Sequence, residues 1–253
     1  MRTESCGATD TGKKRKNNED SFLVHEQFGL FAVADGVGGH EGGEAASRIA
    51  VETLRAAVPD QLGDNDRTPP AGRGQQTTPE TFAFQQAFLL ANGRIRQEQS
   101  ANPLLSNMGT TLTALLLAKG RAFLGHIGDS RAYLLRSGKL KQITRDHSLV
   151  AEQVRSGVLK PEQVRTSPNR HIITRALGIG DEVQAEFTSH DLRQNDTILL
   201  CSDGLTEMVD DPAIGKLLTG CPPRESAKKL IKAANERGGV DNITVVVVRV
   251  VAL

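Results

Sequence analysis

Three aspartates in this chain share one local design, an apolar segment that runs into a carboxylate at a turn, and a fourth stands directly before an apolar run. Residues 30–34 run into Asp35-Gly36, residues 198–201 run through Ser202 into Asp203-Gly204, and residues 121–127 run through Gly128 into Asp129-Ser130. Asp241-Asn242 immediately precedes the last apolar run. A carboxylate at a strand end is held rigidly yet faces the rim of its sheet. Several gathered at one rim repel one another unless a cation neutralises them. Donors that are all oxygen select hard ions such as Mg²⁺, Mn²⁺ or Ca²⁺ over Zn²⁺ or Cu²⁺. The glycines after Asp35 and Asp203 let backbone approach such an ion, which makes the Gly36 carbonyl a candidate ligand. A single Asp-Gly is an ordinary turn. Four strand-end aspartates in one chain point instead to a metal centre.

A second cluster, Arg15-Lys16-Asn17-Asn18-Glu19-Asp20, lies just before the first predicted hairpin. Lys13, Lys14 and Lys16 read as solvated charges. Arg15 is the member with a chemical use, because a guanidinium fork matches the dianion of a phosphate monoester.

The elements that must position these residues come in blocks. Apolar runs at 22–24 and 30–34 predict a hairpin. The glycine cluster 36–43 leads into a helix over 44–58, which Pro59 is expected to stop. Residues 60–79, rich in Gly, Pro, Gln, Thr and Asp, read as a surface loop. Thr78 caps a second long helix with Pro79 in its first turn, and Phe84, Phe88, Ala91 and Ile95 form its core-facing stripe. Strands are predicted over 111–117, 121–127 and 132–135, joined by tight turns at Lys119-Gly120 and Ser137-Gly138. Residues 146–180 are mixed, with short amphipathic pieces at 148–156 and 161–166. Strands resume at 197–201 and 243–250 around a helix over 226–236. Blocks of this kind favour an α+β fold with antiparallel sheet packed on sheet and helices outside. Nothing marks a domain boundary within residues 1–253.

Of the 253 residues, 38% are hydrophobic and 24% charged, the balance of a soluble globular protein. The 31 basic and 30 acidic residues nearly cancel, so no global field directs the chain to nucleic acid or membrane. No apolar stretch reaches the roughly 20 residues of a membrane span. The first residues lack the apolar core of a signal peptide, and a cytoplasmic monomer is expected. Cys6, Cys201 and Cys221 are too few and too scattered for a disulfide framework or a cysteine zinc site. A thiol-based phosphate-binding loop needs an Arg six residues after its Cys, and those positions hold Gly12, Glu207 and Ala227.

Six short motifs follow one another along the chain: Arg-x-x-Asn-Glu-Asp at 15–20, Ala-Asp-Gly-Val-Gly-Gly-His at 34–40, Met-Gly-Thr-Thr at 108–111, Gly-Asp-Ser-Arg at 128–131, Ser-Asp-Gly-Leu at 202–205 and Asp-Asn-Ile-Thr at 241–244. In order and spacing they resemble the bacterial branch of the PP2C-type protein phosphatases, the metal-dependent PPM family, from about Cys6 to the C-terminus. The resemblance implies a fold of two packed antiparallel sheets flanked by helices, with residues 146–180 as a flap beside the active site. It implies hydrolysis of phosphoserine and phosphothreonine in proteins, with Mn²⁺ or Mg²⁺ as cofactor, two ions and a third. By the same resemblance Asp35 would bridge two metals, with the Gly36 carbonyl on one and Asp203 and Asp241 on the other. Asp129 would join Asp203 at the third. Glu19 and Asp20 would orient metal-bound waters, or Glu19 would touch a metal directly, and Arg15 would bind the substrate phosphate. The implied partners are phosphorylated proteins and a Ser/Thr kinase acting on the same targets. One position departs from the pattern. Eukaryotic members carry a His two residues after the bridging Asp, and this chain has Val37 there, with His40 further along in the glycine turn. The proton donor is left unassigned, with metal-bound water the candidate.

Two rival readings remain at this point. Gly36–Gly43 lies between a strand and a helix, as a dinucleotide-binding turn does, although Asp35 would repel a pyrophosphate. A PPM-like domain could also bind phosphoproteins without catalysis, but such a domain is expected to have lost metal aspartates.

Overall fold

The computed structural model describes residues 1–39, 41–63, 77–180 and 182–253. His40 and most of the predicted 60–79 loop lie outside the described residues. No helix among them is long and apolar enough to cross a membrane.

Two antiparallel sheets form the centre. One runs in the order β1 (Arg2–Asp10), β11 (Ile243–Ala252), β10 (Thr197–Cys201), β7 (Arg131–Arg136), β8 (Lys139–Gln142). The other runs β2 (Asp20–His25), β3 (Leu30–Val37), β5 (Leu112–Ala118), β6 (Arg121–Ile127), β9 (Glu186–Asp191), with the short β4 (Gly109–Thr110) also paired to β3. Side chains alternate across each strand, and both faces of the central strands are covered. On β3, Phe31 and Val33 meet Ile198, Leu200, Val246 and Val248 between the sheets. Leu30, Ala32 and Ala34 face the opposite way, onto α1 (Glu41–Gly63) and α2 (Pro79–Ala101). On β11, Val245 and Val247 pack against α5 (Asp211–Leu218) and α6 (Pro223–Glu236), while Val246 and Val248 point inward. Burial on both faces explains why these strands read as continuous apolar runs. The α+β sandwich is the one expected from the blocks.

Several local expectations are corrected. Pro59 does not end the first helix, which runs on to Gly63. A proline inside a helix removes one hydrogen bond, and here Val58 before it and Leu62 beyond it both pack on the core and hold the next turn. The 60–79 loop is therefore shorter than expected, its first residues helical and Pro79 already in α2. Thr78 caps α2 by accepting from the Thr81 amide at 3.2 Å, as its sequence indicated. β1, β9 and α5 carried no clear periodicity and were not expected. β1 is a half-buried strand on the sheet edge, paired along its length to β11, so tertiary pairing rather than its own pattern makes it a strand. Asp35 sits within β3 rather than at its end, and Asp203 opens the short helix α4 (Asp203–Thr206) rather than a turn.

Candidate metal centre

The pairing of β2 with β3 sets Asp20 directly across from Asp35. The Asp35 carbonyl accepts from the Thr111 amide at 2.9 Å and its own amide donates to Thr111 Oγ1 at 2.9 Å. Thr111 Oγ1 in turn lies 2.8 Å from Ser130 Oγ, which ties the Asp35 backbone to the turn that carries Asp129. On the other sheet, Ser202 Oγ donates to Asp20 Oδ2 at 2.8 Å and accepts from the Thr244 amide at 3.0 Å. One hydroxyl thus joins the start of β2, the end of β10 and the start of β11. Asn242 makes a similar knot: its Oδ1 accepts from the Glu19 amide, and its Nδ2 donates to the Thr11 and Asn17 carbonyls. The N-terminal motif is folded back against the residue that follows Asp241.

Two glycines are required by close approach. A Cβ on Gly36 would collide with the Gly43 carbonyl, and one on Gly43 would collide with the Glu19 carboxylate. The glycine cluster therefore makes room for an acidic side chain at the mouth of the sandwich.

The result is a cleft of about 1560 Å³ whose walls include Arg15, Glu19, Asp35, Gly36, Asp129, Asp203 and Asp241. Of the residues singled out in the sequence, only Asp20 is missing from that wall; it is buried beneath, held by Ser202. Arg15 Nη2 donates to Asp241 Oδ2 at 2.7 Å. Burial pushes the Asp35 carboxyl well above its ordinary range, and the charges of Asp20, Asp203, Asp129 and Asp241 push it further. Asp203 is raised in the same way, by burial and then by Asp129, Glu207 and Asp241. Burial also lifts Asp129 to about 7 and Asp20 to about 6. Asp129 Oδ1 and Asp20 Oδ1 are buried with no hydrogen-bond partner. Orphaned carboxylate oxygens are costly to bury, and neither the Arg15 guanidinium on Asp241 nor Arg131 beside Asp129 supplies a donor to these two. The donor chemistry fits hard divalent cations.

The structure adds residues that sequence reasoning did not single out. Arg131 Nε donates to both carboxylate oxygens of Asp146 at 3.0 Å, and Nη2 to Oδ2 at 2.6 Å, which anchors the first residue of the 146–180 segment beside the cleft. Glu207 and His171 also line the cleft, with His171 Nδ1 2.7 Å from Glu207 Oε1. Glu207 stands four residues after Asp203, a helical spacing that was visible in the sequence; His171 had no local signal. Cys201 is buried and its thiol is pushed up to about 12, so it is no nucleophile. The dinucleotide reading fails on topology: β3 pairs only antiparallel neighbours among the described residues, and a dinucleotide turn needs a parallel βαβ unit.

The family described as protein phosphatase 2C matches residues 9–239. This chain belongs to that family. Among curated family members, the serine/threonine protein phosphatase PstP of Mycobacterium tuberculosis is 41% identical over 243 residues, covering 96% of this chain and 44% of its own length. The chain thus spans less than half of that relative. Protein phosphatase PhpP of Streptococcus pneumoniae is 35% identical, with 95% of this chain and 94% of its own covered. Among solved structures of the family, the catalytic domain of PstP in complex with two manganese ions is 39% identical, with a TM-score of 0.83 and 99% of both chains covered. The PP2C-like sandwich expected from the six motifs is the fold observed.

Proposed function

We propose that this chain is a protein serine/threonine phosphatase that hydrolyses phosphoserine and phosphothreonine with the help of Mn²⁺ or Mg²⁺. The observation that carries the reading is the convergence of Asp35, Asp129, Asp203 and Asp241, from distant parts of the chain, on one cleft with Arg15 at its wall. The names of the family relatives support it, as does the pair of manganese ions in the PstP catalytic domain. Asp35, the Gly36 carbonyl, Asp203 and Asp241 would hold two ions, and Asp129 with Asp203 a third. When bound, such ions lower the pKa of water toward neutrality and so supply hydroxide as nucleophile.

The protein's own groups do the rest. The Arg15 guanidinium leaves Asp241 in part to take the phosphoryl oxygens of the substrate, where its fork offers paired donors. Glu19, set against Gly43, and Asp20, set beneath Asp35, orient solvent at the inner wall and keep the aspartates apart from bulk water. The Arg131–Asp146 pair holds the flap, residues 146–180, at the edge of the cleft, and substrate selection belongs to that flap and to residues 60–79. The whole of residues 1–253 acts as one catalytic domain, a cytoplasmic monomer that opposes a Ser/Thr kinase on the same phosphoproteins; three unpaired cysteines suit that compartment.

The test is phosphate release from a phosphothreonine peptide by the purified chain, with Mn²⁺ and with EDTA. Release that needs the metal is expected. Tight Mn²⁺ binding with no release under any condition would instead leave a phosphoprotein-binding domain.

A further inference from the structure

Two buried histidines, neither of them on the cleft wall, meet beside the turn that carries Asp129. His126 lies on β6, three residues before Asp129, and His147 is the second residue of the 146–180 flap. Their ring centroids are 4.9 Å apart, with the planes tilted by 34°.

The partners fix where each ring keeps its proton. A backbone amide can only donate, and that of Gly128 donates to His147 Nδ1 at 3.1 Å. Nδ1 is therefore bare and the proton sits on Nε2. The His147 backbone amide donates in return to the Gly128 carbonyl at 2.8 Å. One residue thus holds both polar groups of the glycine before Asp129. The turn has no slack, since Gly128 stands at φ +107° and a Cβ there would collide with Thr111. A carbonyl can only accept, so His126 Nε2, 2.9 Å from the Arg145 carbonyl, also carries its proton. His126 Nδ1 then accepts from Thr113 Oγ1 at 2.9 Å, and the same hydroxyl lies 3.3 Å from the Ser130 carbonyl.

The backbone is tied on both sides of Asp129, at Gly128 through His147 and at Ser130 through Thr113 and His126. The flap is tied to the same pair. Arg145 leads into its first stem, and the Thr174 amide in its second stem donates to the His147 carbonyl at 2.8 Å. Core filling alone would be served by any apolar ring. It does not explain why three of the four ring nitrogens face a backbone group or a hydroxyl. The fourth, His147 Nε2, is buried without a hydrogen bond, 3.5 Å from Glu186 Oε1. Burial, and then the neighbouring His147, lower His126 to about 4, and burial and Arg175 lower His147, so both rings are neutral near pH 7.

We propose that His126 and His147 are positioning residues, which set the backbone on both sides of Asp129 and lock that turn to the two stems of the flap. This rests on the proposed function in one respect, that Asp129 holds an ion. Neither ring touches substrate or metal. They act through the Gly128 peptide and the Thr113 hydroxyl, as outer partners of a metal ligand do.

The test compares the full chain with His147→Asn, whose Oδ1 can replace Nδ1 as acceptor for the Gly128 amide, and with His147→Leu, which keeps bulk and loses the acceptor. In metal-free wild type, long-range ¹H–¹⁵N spectra should show both rings protonated on Nε2 alone. Exchange of the Gly128 amide should quicken in His147→Leu and stay slow in His147→Asn. Calorimetric Mn²⁺ titration should find one ion weakened by ~10- to 100-fold in His147→Leu, with kcat for a phosphothreonine peptide reduced to a similar degree and KM little changed. His147→Asn should recover most of both. Wild-type Mn²⁺ affinity and kcat in His147→Leu, or equal losses in His147→Leu and His147→Asn, would overturn the inference and leave the metal centre standing. If melts show His147→Leu unfolded, His126 decides. His126→Gln keeps an Nε2 donor for the Arg145 carbonyl and should bind Mn²⁺ as wild type does, whereas the shorter His126→Asn should bind it more weakly; equal affinities would overturn the inference. A wild-type chain that binds no Mn²⁺ would overturn the metal reading as well.

Discussion

Arg15 and Asp241, 226 residues apart in sequence, are joined by a 2.7 Å hydrogen bond from Nη2 to Oδ2. The contact closes the N-terminal motif onto the segment that leads into the last strand, and it places the cation proposed to bind phosphate against one of the proposed metal ligands. The carboxylate keeps the guanidinium charged and raises its pKa above the ordinary value, mainly through the hydrogen bond itself. Arg15 is therefore positioned before any substrate arrives.

Arg15→Ala should lower kcat/KM for a phosphothreonine peptide by roughly 10- to 100-fold, the worth of one or two charge-assisted hydrogen bonds. Because the pair is solvent-exposed on the Arg side, the change in unfolding free energy should stay below about 1 kcal/mol. Steady-state kinetics and denaturant melts on the same preparation check both figures. Loss of stability without loss of kcat/KM would assign Arg15 a purely structural role.

Asp35→Asn and Asp203→Asn should each reduce Mn²⁺-dependent phosphate release by at least about 10²-fold, because losing a carboxylate ligand removes electrostatic stabilisation that the ions would supply. Neither should unfold the chain. Without metal, each aspartate is buried among like charges, so an amide of the same shape should raise the melting temperature in EDTA. Each 1 kcal/mol of relief corresponds to about 2–4 °C for a domain of this size. Activity like that of wild type in either variant would remove that residue from the proposed centre.

The metal-free protein should lose stability as pH rises. Asp20 and Asp129 have folded-state pKa values of about 6 and about 7 against an ordinary 3.8. Between pH 4 and 7 the folded state binds more protons than the unfolded state, so their contribution is fullest below the unfolded value and is lost as pH passes 6 and 7. Melting temperatures in EDTA should fall from pH 5 to 8, and Mn²⁺ should reverse the trend at the upper end. Asp129→Asn should flatten the slope; a slope identical to wild type would show that Asp129 does not titrate in this window.

Removing Asp146 should be costly even though it is no candidate metal ligand. Its carboxylate takes three hydrogen bonds from Arg131 and a fourth from Gln142 Nε2 at 2.7 Å. Asp146→Ala leaves the Arg131 guanidinium largely enclosed without a counter-charge, and chemical denaturation should register a loss of about 3 kcal/mol. A loss under about 1 kcal/mol would show that solvent replaces the carboxylate and that the flap is held by other contacts.

Much of this molecule is legible along the chain. Apolar runs at β3, β5, β6, β10 and β11 name the central strands, because strands buried on both faces cannot afford polar alternation. Asp35, Asp129, Asp203 and Asp241 stand out because each follows or precedes such a run, and short motifs carry local geometry that survives without knowledge of partners. The helix stop at Pro59 was misjudged for the same reason: a local rule met long-range packing at Leu62, and the packing won.

What the tertiary structure alone decided is which of these groups meet. β1 has no strand pattern of its own and exists through its ladder to β11. Asn242 looks like an ordinary turn residue until it is seen to hold the Thr11, Asn17 and Glu19 backbones at once. Asp20 and Glu19 are neighbours in one motif, yet Asp20 is buried under Ser202 while Glu19 lines the cleft. His171 meets Glu207 only because the 146–180 segment lies beside α4. Periodicity and motif spacing report interactions over a few residues, where the chain's own geometry dictates neighbours. Contacts between side chains tens to hundreds of residues apart depend on how two sheets stack, and no local pattern encodes that.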